Sequence, residues 1–420
     1  MPARTAGLPP TLEEHIAGEA IPFSTEDADS LNAAADRLMA ASDPSLAILA
    51  LGEPTHLVDD YLRLRNRLFQ ALVERHGFRA IAIESGFPRG EIVNDFVAGR
   101  RDAIDEALEY GITHGMGRMP ANRELLEWVR RYNDAGAPGR DKLHFYGFDS
   151  PTEMTHADSP RHLLTLALDY LGTLSPPSGQ SRRRQIEPLF GADANWENPA
   201  AMMDPAKSVG RSPAANELRV ATEDLIAELA TLQPQGASTD APAYRRAMRY
   251  ALHARQMLAY HAVIAQSSSN RIVDALSLRD AMMADNLLYI ARQEESRGKV
   301  FAFAHNSHLK RGQAVWQWGS DRWAWWPAGA HLSASMGNRY SVIGVGVGTS
   351  GASQLGPPEA GTLEALLLAA PGPARLLPTH AARSLGIHDP NVRTANPQFF
   401  PFDRQSLTDF DWLALLDRAD

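Results

Sequence analysis

The chain has 420 residues, 44% hydrophobic and 22% charged, with a formal net charge of −9 and no cysteine. That balance suits a large globular α/β core with a further helical part, and the missing thiols exclude disulfides, cysteine nucleophiles and thiolate metal centres. The acidic residues are spread along the chain, no basic stripe faces a nucleic acid, and no apolar run reaches the about eighteen residues of a membrane span, so no nucleic-acid or membrane partner is expected. Met1 to Phe23 carries Arg4 and several prolines without the apolar centre of a secretory signal, which makes a cytoplasmic location the expectation.

In chain order, the nearly wholly apolar run Ser45–Leu51 predicts a buried strand that ends in Gly52-Glu53. Val58–Arg75 predicts a helix with Val58, Tyr61, Leu68 and Leu72 on one stripe. Phe78–Ile83 predicts a second buried strand ending at Glu84. A helix over about Asn122–Tyr132 precedes a third strand, Leu143–Asp149. Strand and helix alternating in this way indicate a largely parallel central sheet flanked by helices. From Pro160 to Gln266 helical patterns dominate, with helices at Asn216–Leu232 and Ala243–Gln266 and Pro/Gly/Ser-rich loops at Leu174–Gln180 and Pro234–Pro242. The α/β pattern resumes with a helix at Leu278–Ser296 and strands at Lys299–Ala304 and Tyr340–Gly346. A flexible loop at Ser350–Gly361 and a closing strand at Phe410–Leu416 follow. The expected organisation is therefore an α/β core from residues 1–159 and 267–420, with residues 160–266 as a helical insertion or subdomain.

Three of the predicted strands run into glutamates and histidines. The first finishes in Gly52-Glu53-Pro54-Thr55-His56, the second in Glu84, and the fourth in His305-Asn306-Ser307-His308. Ligands of open α/β sheets gather beyond the carboxyl ends of the strands, where loops diverge and leave a crevice. Parallel neighbours would therefore bring Glu53, His56, Glu84, His305 and His308 to one rim. Arg65 falls on the apolar stripe of the Val58–Arg75 helix, and a guanidinium aimed at the core needs a carboxylate partner. Glu53 and Glu84 are the candidates. A carboxylate held ionised by arginine orients a neutral imidazole, which can then take a proton from water near neutral pH.

A serine nucleophile fits less well. Gly346-Val-Gly-Thr-Ser350-Gly351 lacks the spacing of a nucleophile elbow. Ser307 lies between two histidines, but neighbours on an extended strand end point to opposite sides. Five of the eight tryptophans lie at 316, 318, 323, 325 and 326, and an indole-rich loop there can wall a pocket for a bulky apolar substrate or simply pack into the core.

Gly52-Glu53-x-Thr55-His56, Ile81-Ala-Ile-Glu84, Arg279-Asp280 with Met282, Met283, Asn286 and Leu287, and Ala304-His305-Asn306-Ser307-His308 together resemble the erythromycin esterase family. Tyr146-Gly147-Phe148-Asp149 and Met336-Gly337-Asn338 are similar to its lesser motifs, and the blocks arrive in the family's order from about Leu49 to Gly346. The resemblance implies an α/β fold with additional helices and a carboxylic-ester hydrolase that needs no bound cofactor or metal. Its substrate would be a macrolide or another bulky natural product. It also implies roles: His56 as general base for water, Glu53 and Glu84 as the carboxylates that orient it, Arg65 as the arginine, and His305 with His308 positioning water or stabilising the oxyanion. Trp316, Trp318, Trp323 and Asn306 are the expected substrate contacts. Leu57 stands where the family often has glycine, and Pro54 replaces a small residue; both changes flank the base and argue against erythromycin itself as substrate. Two other chemistries suit the same residues: a metallohydrolase, and a biosynthetic enzyme using the base for elimination, cyclisation or isomerisation.

Overall fold

Apolar runs too continuous to face water on either side become the middle of one sheet. The structure, a computed structural model, describes residues 11–136, 141–150, 152–153, 156–385 and 390–420, so Arg4 and the first prolines lie outside it. The strands in chain order are β1 (Ile21–Phe23), β2 (Ile48–Glu53), β3 (Phe78–Gly86), β4 (His144–Asp149), β5 (Thr152–Glu153), β6 (His156–Ala157), β7 (Lys299–His305), β8 (Ala314–Trp318), β9 (Asp321–Trp325), β10 (Tyr340–Thr349), β11 (Ala374–Pro378) and β12 (Trp412–Arg418). Eight of them form one sheet in the order β1-β11-β12-β10-β2-β7-β3-β4. Pairing is parallel from β12 through β10, β2 and β7 to β3 and antiparallel at β11 and β1. The largely parallel α/β sheet expected from the sequence is therefore present, with an antiparallel edge that the sequence did not announce.

Local chemistry explains both the centre and the edge. All six residues of β2 are buried, as a strand covered on both faces requires. The helix Asp59–His76 follows it, with Asp59 and Asp60 in its first turn, Arg75 and His76 in its last, and Gly77 closing it at a φ of 74°. Charges so placed complement the helix dipole, and the left-handed cap satisfies the last carbonyls. Tyr61, Arg65, Leu68 and Leu72 are buried on the predicted stripe. At the edge, β1 is a three-residue Ile-Pro-Phe strand, too short and too interrupted to show periodicity. β11 carries Arg375 at its second position, where Asp417 of β12 and the carbonyls of Ala370 and Gly372 take up its charge.

Contacts divide the chain into two compact units, one of residues 1–84, 89–148 and 284–420, the other of residues 85–88 and 149–283. The first holds the sheet core, including Leu49, Leu51, Phe69, Ile81, Ile83, Phe301 and Phe303. The second is helical around Leu164, Leu168, Leu171, Phe190, Trp196, Leu218, Leu225, Leu229 and Met257. It starts earlier and ends later than the 160–266 stretch in which helical patterns dominate the sequence. Two of the loops expected within it are helical. Pro176 and Pro177 open the helix Pro176–Ile186, a position where proline's missing N–H costs nothing. The Pro234–Pro242 segment begins a helix at Gln233 that breaks at Asp240, whose φ is −155° and whose side chain accepts from Ala243 N to restart the helix. No helix among the described residues is long and apolar enough to cross a membrane.

Candidate active site

Glu53 closes β2, His305 closes β7, and the two are register partners on adjacent parallel strands. On the other side of β7, Ile83 of β3 pairs with Phe303, which sets Glu84 beside the same strand end. The sheet opens here. Pairing between β2 and β10 stops at Leu51 opposite Ile343, while β2 stays paired with β7 to its last residue. Asn306 fills the split: its side-chain amide donates to Val345 O at 2.7 Å and accepts from Val345 N at 3.1 Å. Asn306 is fully buried by this brace, which corrects its expected role as a substrate contact.

His56 is reached by a short turn from Glu53, and its Nδ1 lies 2.7 Å from Glu53 Oε1. Its Nε2 lies 3.8 Å from Glu84 Oε1, and its side chain is 35% exposed while both carboxylates are buried. The bend continues beyond His56 into Leu57, at a φ of 64°. Glu84 also serves β7: its Oε2 accepts from His305 N at 2.8 Å, and its Oε1 stands 3.4 Å from His308 Nε2. Thus Glu53, His56, Glu84, His305 and His308 come together in one cluster at the ends of neighbouring parallel strands.

His305 is tied at both ring nitrogens. The chain leaves β7 as one helical turn, Asn306–Leu309, with His305 as its N-cap, so Ser307 sits on a helix and not on an extended strand end as expected. His305 Nδ1 accepts from Ser307 N at 3.2 Å, which leaves Nε2 to carry the hydrogen and donate to Pro54 O at 3.0 Å. Burial, assisted by the neighbouring His56, pushes its pKa down to about 3. His305 is therefore a neutral strut at neutral pH.

Arg65 departs from its expected ion pair. It is fully buried, and its Nε and Nη2 donate to Asn66 Oδ1, with Nη2 also reaching Asn122 Oδ1 at 2.8 Å. Its guanidinium lies 5.0 Å from the Phe303 ring. Burial lowers its pKa to about 10, so it stays charged, and it acts on Glu53 through the field and not through a direct bond. Amide oxygens suffice because the helix presents Asn66 next to Arg65 and a later helix, Pro120–Asp134, presents Asn122. Burial raises the pKa of Glu53, while the bond to His56 and the field of Arg65 oppose that rise.

Two contributors were not found in the sequence. His114, in the left-handed region at a φ of 62°, sets its ring 6.3 Å from that of His56. A ring nitrogen of His114 also comes within 4.8 Å of a Glu84 oxygen, a spacing that a cation could use. Only a histidine followed by glycine marks it in the sequence, and that pattern is too common to notice. Phe400 lies 6.3 Å from the His305 ring, and its N–H donates to Pro54 O. Four of the five clustered tryptophans lie in a β8–β9 hairpin and not a loop, with Trp316 opposite Trp323, and Trp326 directly follows it. Trp316 donates to Pro397 O, three residues before Phe400, and Trp318 is half exposed.

The sequence profile described as erythromycin esterase matches residues 73–404. A curated relative from Escherichia coli, "Erythromycin esterase type II", is 24% identical over 314 residues, covering 71% of this chain and 68% of that one. Among solved structures, a Bacillus cereus protein superposes with a TM-score of 0.72 at 17% identity, covering 98% of both chains. A succinoglycan biosynthesis protein gives 0.70 at 17% identity over 97% of this chain and 96% of that one. The erythromycin esterase EreC, a histidine-to-asparagine mutant in its open conformation, gives 0.68 at 19% identity over 96% and 98%. These likenesses establish a shared fold, and the profile match, which takes in most of the chain, supports a hydrolase that acts on esters. The chain belongs to the erythromycin esterase family.

Proposed function

We propose that this protein hydrolyses a carboxylic ester or lactone, in a macrolide or another bulky natural product, with His56 as general base for a directly attacking water. The observation that carries the proposal is the 2.7 Å contact between His56 Nδ1 and the fully buried Glu53, on a ring that is still one-third exposed. A carboxylate at Nδ1 fixes the tautomer that leaves Nε2 basic, and it stabilises the imidazolium that forms. Water attacks the carbonyl carbon and gives its proton to Nε2. The resulting tetrahedral oxyanion collapses with cleavage of the acyl C–O bond, between the carbonyl carbon and the ester oxygen, and His56 returns the proton to the departing alkoxide. Glu84 beside Nε2 supports the same positive charge. His308 supports the role of facing the developing oxyanion better than His305, whose two nitrogens are committed to the backbone.

The test is a mass-resolved screen of macrolides and other lactones with wild type and His56→Ala. Hydrolysis adds one water to the product mass, and a general base contributes about 10²–10⁴-fold to turnover. The expected result is a product heavier by one water that His56→Ala makes at least about a hundredfold more slowly. Near-normal turnover by folded His56→Ala would remove the proposed base, and a product of unchanged mass would replace hydrolysis by isomerisation.

A further inference from the structure

Among the described residues, Leu57, His114 and Gln354 are the non-glycine positions with positive φ. Histidine enters the left-handed region more readily than most residues, and Gln354 lies in an exposed turn, but leucine gains nothing locally from that conformation. Leu57 carries a second cost as well, because its apolar side chain is 53% exposed. Glycine would close the same turn without either penalty. Two unfavourable features at one position, directly after the proposed base, are accounted for when something absent from the free protein covers the side chain.

We infer that Leu57 is a specificity-determining residue whose side chain packs against an apolar part of the substrate next to the scissile carbonyl. The inference rests on the ester-hydrolase function proposed above. The exposed side chain directly follows, in the chain, the residue whose ring is itself partly open to solvent, so a substrate presenting its carbonyl to His56 can reach Leu57 with its flanking carbons. The surrounding rim has matching character. Phe400 lies against His305, and the segment from Pro397 to Phe400 ties that rim to the hairpin bearing the exposed Val315 and Trp318. The ligand class is therefore an ester or lactone with a branched or macrocyclic apolar flank.

The experiment compares kcat/KM on a branched macrocyclic lactone and on a simple acetate ester, for wild type, Leu57→Gly, Leu57→Asn and Leu57→Met. Glycine and asparagine both accept a φ near 64°, so these variants keep the turn, which melting curves verify. Apolar contacts of one or a few methylenes are worth about 10–200-fold in discrimination. The ratio of kcat/KM on the lactone to that on the acetate should fall by about tenfold or more in Leu57→Gly and Leu57→Asn and be retained in Leu57→Met. An unchanged ratio in folded Leu57→Gly and Leu57→Asn, with wild type active on both esters, overturns the role of Leu57 alone, and a wild type active on the acetate alone overturns the apolar-flanked ligand class. A wild-type enzyme inert on both esters overturns the hydrolase proposal and this role with it.

Discussion

Adding one methyl group at Gly52 tests how the crevice is held open. An alanine Cβ there would lie 1.9 Å from Asn306 Oδ1 and 2.9 Å from its Cγ. The obstacle is the end of a side chain, which elsewhere could swing away. Here that side chain is fully buried and bonded to both polar groups of Val345, at 2.7 and 3.1 Å. Moving it strands a buried N–H and a buried C=O at about 1–3 kcal/mol each, so Gly52→Ala should cost about 2–6 kcal/mol. Asn306→Ala removes the same two bonds and should cost a similar amount. The double variant should then lie much closer to Asn306→Ala alone than to the sum of the two single changes, because only the backbone Cα of residue 306, 3.2 Å from the new Cβ, is left to give way. Urea unfolding of the four proteins measures this directly, with an unchanged m-value confirming a common native state. A Gly52→Ala penalty below about 1 kcal/mol, or simple additivity in the double variant, would refute the brace.

Three further outcomes follow from other parts of the structure. Glu53→Gln keeps an oxygen to accept from His56 Nδ1 but loses the charge that stabilises the imidazolium, so kcat should drop by about 10²–10⁴-fold with little change in KM; steady-state kinetics on any turned-over ester decide it. His305 has a folded pKa near 3 against an ordinary 6.5, so below pH 6.5 the unfolded chain binds a proton that the folded one refuses. Stability from this group is complete above pH 6.5 and falls toward pH 3 by about 1.4 kcal/mol per unit, and His305→Asn, which can still cap the turn at Ser307, should show a shallower acid loss in denaturation at pH 7, 6 and 5. In the helical unit, Arg279→Met removes two charge-assisted bonds, at 2.9 and 2.6 Å, from the fully buried Asp149 and should cost about 3–5 kcal/mol in thermal or urea melts.

The strands that face the crevice were legible because a strand buried on both faces must be apolar along its length, and a polar residue at its end is then conspicuous. Glu53, Glu84 and His305 stood out for that reason, and parallel pairing of β2, β7 and β3 gathered them. The edge was not legible. β1 has three residues, β11 has an arginine at its second position, and both depend on partners distant in sequence. Proline misled in the helical unit, where Pro176 and Pro177 mark a helix start that composition alone presents as a loop. Within the crevice, residue identity told position better than it told bonding. Arg65 on an apolar stripe correctly signalled a buried cation, but neutral asparagine oxygens, one of them on a helix some sixty residues away in sequence, are invisible to a search for opposite charge. Asn306 between two histidines likewise suggested contact with substrate, whereas the strand divergence that consumes its amide exists only in three dimensions.

Different partners separate the roles of the two imidazoles that lie 5.2 Å apart, His56 and His305. Two basic rings so close would compete for one proton unless something made them unequal. His305 is bound at both nitrogens to backbone and is buried enough to resist protonation, so it stays neutral while defining the turn that follows β7. His56 has a carboxylate on one nitrogen, another carboxylate near the second, and access to solvent. In the proposed mechanism a proton taken from water goes to His56, and the cation it creates meets a neutral neighbour and not a second positive charge. The cost of crowding histidines is thus removed by tying one of them to Pro54 and Ser307. The same tie fixes Pro54, which also receives the Phe400 N–H. Geometry at the base, neutrality beside it and the position of the aromatic rim then all depend on the short segment Glu53–His56, which explains why that segment carries so much of the chemistry that the sequence exposes.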